Sequence, residues 1–225
     1  MKKILLLASL VLAPFTAGAE EFDLELGEEI YETCAPCHGP FGQGGGGGVY
    51  PRLAGMDWEY VAYQLEKFKS RERENIPMIP FANDRELPEE DVEAVSGYIM
   101  SLELQTRLPE TEGDIDGYTR LLQAKQVLNI PRHPDGDEEL GAKAYGEFCS
   151  KCHGKVGEGT IRAPLLAGQH IPYMKKTLED YRDGLRRHRK LDELITPRTP
   201  EEIDSIFTFL SLQDDNFVSG KPVEK

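Results

Sequence analysis

The chain contains itself twice. Cys34-Ala35-Pro36-Cys37-His38-Gly39 recurs as Cys149-Ser150-Lys151-Cys152-His153-Gly154. Pro51, Leu53, Ala54, Gly55, Tyr60, Leu65 and the aromatic Phe68 recur as Pro164, Leu166, Ala167, Gly168, Tyr173, Leu178 and Tyr181, and Val92, Val95, Tyr98 and Ile99 recur as Ile203, Ile206, Phe209 and Leu210. The offset falls only from 115 to 113 to 111 along the way, which is what loop indels between fixed elements produce. A repeat of this kind sets the domain count before any motif is read. In 225 residues it leaves room for two units of about 100 residues each.

Each copy reads as all-α with three main helices. The first carries Ile30 or Ala144 and ends at the cysteine pair. The middle one runs from about Asp57 to Ser70, where Val61, Leu65 and Phe68 fall at helical spacing, and its counterpart follows Pro172. The last starts after Pro88 or Thr199, with acidic residues in its first turn, where negative charge suits the helix dipole. Trp58, Tyr60, Phe68, Tyr173 and Tyr181 read as core packing, as do Met56, Met100 and Met174. The organisation expected is a leader at 1–19, a first domain at 20–102, a connector at 103–136 with a short helix near Tyr118 to Val127, a second domain at 137–216 and a tail at 217–225.

Lys2 and Lys3 precede an apolar run from Ile4 to Phe15, and Ala17-Gly18-Ala19 supplies small residues for cleavage after Ala19. That run is too short to span a bilayer, which takes about 20 apolar residues. The expectation is an exported, periplasmic protein with no integral membrane segment in the mature chain. With 26 Lys plus Arg against 40 Asp plus Glu, the formal charge is -14. Nucleic-acid partners are excluded, because phosphate tracking needs a basic surface.

Two cysteines separated by two residues and followed at once by histidine form the attachment pattern for haem c. Thiols one helical turn apart can form thioethers to the two vinyl groups on one porphyrin edge, and the adjacent imidazole then reaches the iron. The pattern predicts two covalently bound haem c groups, held by Cys34, Cys37 and His38 and by Cys149, Cys152 and His153. A structural zinc site would need four ligands per metal and gives no reason for the histidine. A thioredoxin-like pair would need a neighbouring βαβ pattern, and a disulfide within each pair leaves the repeated histidine unexplained. Gly44 to Gly48 is no phosphate loop, since no Lys-Ser/Thr follows it; it reads as a flexible loop beside the haem.

Both Cys-Cys-His motifs, Pro51-Arg52-Leu53-Ala54-Gly55, Ala163-Pro164-Leu165-Leu166-Ala167-Gly168-Gln169-His170 and the helices starting at Glu59-Tyr60 and Pro172-Tyr173 resemble class I cytochrome c domains. The tandem arrangement resembles the dihaem cytochrome c4 family and the haem subunit of flavocytochrome c sulfide dehydrogenases, over about 20–102 and 137–213. The long connector does not match. The resemblance implies that Pro51 and Pro164 offer their carbonyls to the proximal histidines His38 and His153, fixing ring orientation. It also implies a distal Met in a Pro-containing loop, which in the first copy is Met78 within Asn75-Ile76-Pro77-Met78-Ile79-Pro80-Phe81. The second loop has no Met. Repeat alignment of Met78 falls at Arg189 to Leu191, next to His188, which is the leading distal ligand there. His133, Lys190 or an open position remain alternatives, and the competing reading of His188 is an exposed residue in the basic run Arg186-Arg187-His188-Arg189-Lys190. His170 is not expected to ligate.

The function expected is one-electron transfer between redox protein partners. The alternative is a haem subunit of an oxidoreductase, or an enzyme acting on a small anion at the second haem. Residues 20–102 hold 6 basic and 18 acidic residues, whereas 137–225 hold 14 and 16. The first domain is therefore expected to be steered toward a basic docking surface.

Overall fold

A computed structural model describes residues 22–111, 113–160 and 163–213, with the backbone of a short antiparallel pair, Phe217–Val218 and Lys221–Pro222. The expected leader and its cleavage site lie outside these residues. The helices follow in the order α1 (Leu24–Tyr31), α2 (Ala35–His38), α3 (Trp58–Lys69), α4 (Glu89–Ser101), α5 (Gly117–Gln126), α6 (Glu138–Phe148), α7 (Ser150–His153), α8 (Ile171–Arg182) and α9 (Pro200–Ser211).

The start signals repeat along with the motifs. Asp23 accepts from Leu26 N–H at 3.0 Å to cap α1, and Asp137 accepts from Leu140 N–H at 2.7 Å to cap α6. Thr199 opens α9 with a reciprocal capping box to Glu202. In each unit the first helix crosses the last at a glycine. A Cβ on Gly27 would lie 2.4 Å from the Ala94 carbonyl oxygen, and one on Gly141 would lie 1.9 Å from that of Ser205. The lack of a side chain lets α1 lie against α4 and α6 against α9 at backbone contact.

Around those crossings the apolar faces close. Tyr31, Met56, Val61, Val92, Val95 and Ile99 form the first core; Ala144, Tyr145, Ile171, Met174, Ile206 and Leu210 belong to the second. Burying a side chain such as Val95 or Leu210 is worth roughly 1.5–3 kcal/mol. Met56 and Met174 are core residues as expected, but Met100 is not: it is 37% exposed on the outer face of α4, because the residue before it, Ile99, is the one that faces inward.

The connector is folded. Gln105 N–H donates to Gln126 O at 3.0 Å and Leu128 N–H to Gln105 O at 2.8 Å, closing the segment that holds α5. Leu104, Leu128 and Ile130 enter the second core. His133 then latches the connector to α9: its N–H donates to Ser211 Oγ at 3.0 Å, its carbonyl accepts from Thr208 Oγ1 at 3.0 Å, and its Nε2 lies 2.9 Å from Asp204 Oδ1.

Candidate functional site

The two Cys-Cys-His segments are single helical turns, α2 and α7, each ended by a left-handed glycine, Gly39 (φ 82°) and Gly154 (φ 85°). The turn brings each pair of sulfurs onto one side of the backbone. All four thiols are unbridged, and burial pushes those of Cys34 and Cys149 up to about 11, so they are neutral thiols at neutral pH. Among the described residues no three His, Cys, Asp or Glu side chains come together as a metal-ion site, so a zinc cluster has no ligand set.

His38 Nδ1 lies 3.0 Å from the Pro51 carbonyl oxygen and His153 Nδ1 lies 2.8 Å from that of Pro164. A carbonyl can only accept, so Nδ1 carries the proton and Nε2 keeps its lone pair. Burial lowers the pKa of both rings, against the opposing pull of these carbonyls, which holds them in the neutral form that ligates iron. Behind each ring a tyrosine locks the turn: Tyr31 Oη donates to Gly39 O and Tyr145 Oη to Gly154 O, both at 2.8 Å. Sequence reasoning missed this pair, although Tyr31 and Tyr145 recur at an offset of 114.

In the first unit Met78 closes a 3₁₀ turn, Ile76–Met78, and is half-buried. In the second unit the segment after α8 brings His188 over His153. The two rings are 12° from parallel with centres 6.4 Å apart, and His188 also lies against the Tyr181 ring at 5.2 Å. Two imidazoles sharing one metal at about 2.0 Å from each ligating nitrogen would have ring centres roughly 6 Å apart, so the separation of this pair is of the size that His153 and His188 would need to hold one iron between them. His188 Nδ1 faces the Lys190 N–H at 3.3 Å. Nδ1 is the acceptor of that contact, so ligation through Nε2 would need the proton on Nδ1 and would give the contact up. A π turn, Leu191–Ile195, follows directly.

His133 is committed to Asp204, Lys190 is exposed and paired with Glu193, and His170 Nε2 bonds the Gln43 carbonyl at 2.8 Å. The glycine run is a folded turn, Gly46–Gly48, packed on His170 and Pro172, and not a free loop.

Arg187, Arg189 and Lys190 of the basic run are exposed, as a solvated face would be, but Arg186 is not. Arg186 is 7% exposed and joins the two units. It donates to Tyr60 Oη at 2.6 Å and to Tyr173 Oη and Thr177 Oγ1 at 3.3 Å, over the Tyr181 ring. Arg73, its repeat counterpart, donates to Gln64 Oε1 at 2.6 Å and Tyr173 Oη at 3.3 Å, over the Phe68 ring. Tyr60, Tyr173 and Tyr181 are thus interface residues. Burial raises the Tyr173 phenol, but Arg186 and Arg73 outweigh it and hold the group below its ordinary value; burial takes Tyr60 up to about 12.

A family profile described as cytochrome c matches residues 24–103 and 138–214. A cytochrome c4 from Thiocapsa roseopersicina is 34% identical over 68% of this chain and 71% of its own length. A thiosulfate dehydrogenase electron acceptor from Stutzerimonas stutzeri is 31% identical over 69% of this chain and 66% of its own. The structure of reduced recombinant cytochrome c4 from Pseudomonas stutzeri superposes with a TM-score of 0.60 at 22% identity, over 85% of this chain and 98% of that one, and so shares the fold.

Proposed function

The chain belongs to the cytochrome c family and is a dihaem electron-transfer protein, and we propose that it is an exported, periplasmic carrier whose two haems differ in distal ligand. Each covalently bound haem c supplies a one-electron ferrous–ferric couple. Cys34 and Cys37, and Cys149 and Cys152, hold the groups covalently. His38 and His153 are the proximal ligands, oriented by the carbonyls of Pro51 and Pro164. Met78 is the distal ligand in the first unit and His188 in the second.

The observation that carries this reading is the paired geometry behind the motifs: in both units the histidine after the second cysteine, buried at His38 and half-buried at His153, is held neutral and anchored through Nδ1 on an equivalent proline carbonyl. Structural histidines have no need to repeat that arrangement. Electron transfer without ligand exchange suits His188, since an imidazole over His153 fills the position that chemistry on a small anion would need open.

The partner of the first unit presents basic residues around an apolar centre. Ile76 is 81% exposed and Ile79 and Phe81 are exposed beside Met78, and the exposed carboxylates Glu72, Glu74, Asp84 and Glu86 flank them in sequence. A relative named as a thiosulfate dehydrogenase electron acceptor supports a redox enzyme as one such partner.

Mass spectrometry and optical spectra of the purified chain test the reading. Two covalent haems, a mature N-terminus after Ala19, and two low-spin spectra unaffected by cyanide, sulfite or nitrite are expected. A high-spin second haem that binds added anions would favour the enzyme reading.

A further inference from the structure

One peptide group between the two units is held from both ends. The Pro51 carbonyl accepts from His38 Nδ1 at 3.0 Å, and the N–H of the same peptide, that of Arg52, donates to Gln169 Oε1 at 2.9 Å. Gln169 Nε2 in turn donates to the Arg52 carbonyl at 2.9 Å, and Oε1 also accepts from His170 N–H at 2.9 Å. The side chain is 2% exposed. It binds Arg52 as a neighbouring strand would, from 117 residues away.

The repeat does not reproduce this clamp. Gln169 aligns with Met56, and Arg52 with Leu165. Met56 and Leu165 lie together in one apolar cluster. His153 therefore has the same proline carbonyl as His38, while the side chain at the position of Gln169 is a thioether and not an amide.

We propose that Gln169, from the second unit, is a positioning residue for the haem site of the first. An amide whose N–H is donated becomes a better acceptor at its oxygen, because hydrogen bonds in series polarise one another. The chain from Gln169 through the Pro51–Arg52 peptide to His38 Nδ1 strengthens the bond that fixes the ring and raises the basicity of its ligating nitrogen. A more basic imidazole favours ferric iron, so Gln169 lowers the potential of the first haem and ties it to the docking of the two units. This rests on His38 being the proximal ligand.

The test is Gln169→Met in the holoprotein, which copies the other half of the repeat at similar volume. Both midpoint potentials are followed by spectroelectrochemistry, and solvent exchange of the His38 Nδ1–H is followed by NMR. The first midpoint should rise, the His38 proton should exchange faster and the second midpoint should stay put. Gln169→Glu keeps an acceptor for the Arg52 N–H, so its first midpoint should lie at or below that of the parent. A first midpoint that does not move in Gln169→Met, or that moves upward equally in both variants or together with the second, overturns the proposal. His38→Ala with an unchanged first-haem spectrum would remove the ligand assignment beneath it, a failure the Gln169 variants alone would not produce.

Discussion

The imidazoles of His153 and His188 lie 12° from parallel with 6.4 Å between their centres. His153 is fixed by its motif and by Pro164, whereas His188 arrives from a segment in which the first copy carries a methionine. In His188→Ala the second haem should become high-spin or open to added cyanide, with the Met78 haem spectrum unchanged. His133→Ala should leave both spectra intact, because that ring is spent on Asp204. Two low-spin haems in His188→Ala would assign the ligand to another residue.

The arginine pair holds the units together. Tyr60→Phe leaves the buried Arg186 without its shortest hydrogen bond, and a lost bond to a charged group costs about 1.5–3 kcal/mol. Denaturant unfolding of the holoprotein should show a loss in that range, while Tyr63→Phe on the exposed face of the same helix should cost nothing measurable.

The connector latch gives a pH dependence with a definite sign. Burial raises the Asp204 carboxyl, but His133 and Lys175 outweigh it and the pKa lies below the ordinary value. A depressed folded pKa means that stability is present above the unfolded value of about 3.9 and is lost as pH falls through the folded one. Asp204→Asn should therefore cost about 1 kcal/mol at pH 7, after discounting for partial exposure. The difference from the parent should vanish at the acid end of the titration.

Gly141→Ala drives a methyl into the Ser205 carbonyl, and overpacking of this kind costs about 1–3 kcal/mol. Thermal melts should show the second unit destabilised more than the same change at Gly146, where a Cβ meets nothing within 4 Å.

The repeat made much of this architecture legible. Recurrence of Val92, Val95 and Ile99 as Ile203, Ile206 and Leu210 placed the last helix of each unit, and Asp57 and Ser70 bracketed α3, because local capping and periodicity decide such elements. Gln169, Arg73 and Arg186 were not legible. Their roles come from packing one unit on the other, and a basic run reads as solvated until its partners, here Tyr60 and Tyr173, are known. Met100 misled for a related reason: helical spacing alone does not say which side of α4 meets α1.

A spectroscopic redox titration of the intact holoprotein tests the central claim most directly. Methionine ligation raises potential relative to two histidines, so the titration should resolve two one-electron waves, both from low-spin haems. The lower wave should belong to the haem on Cys149 and Cys152 and should be the one altered in His188→Ala. Two coincident waves unaffected by that substitution, or a second haem already high-spin in the parent protein, would contradict the account.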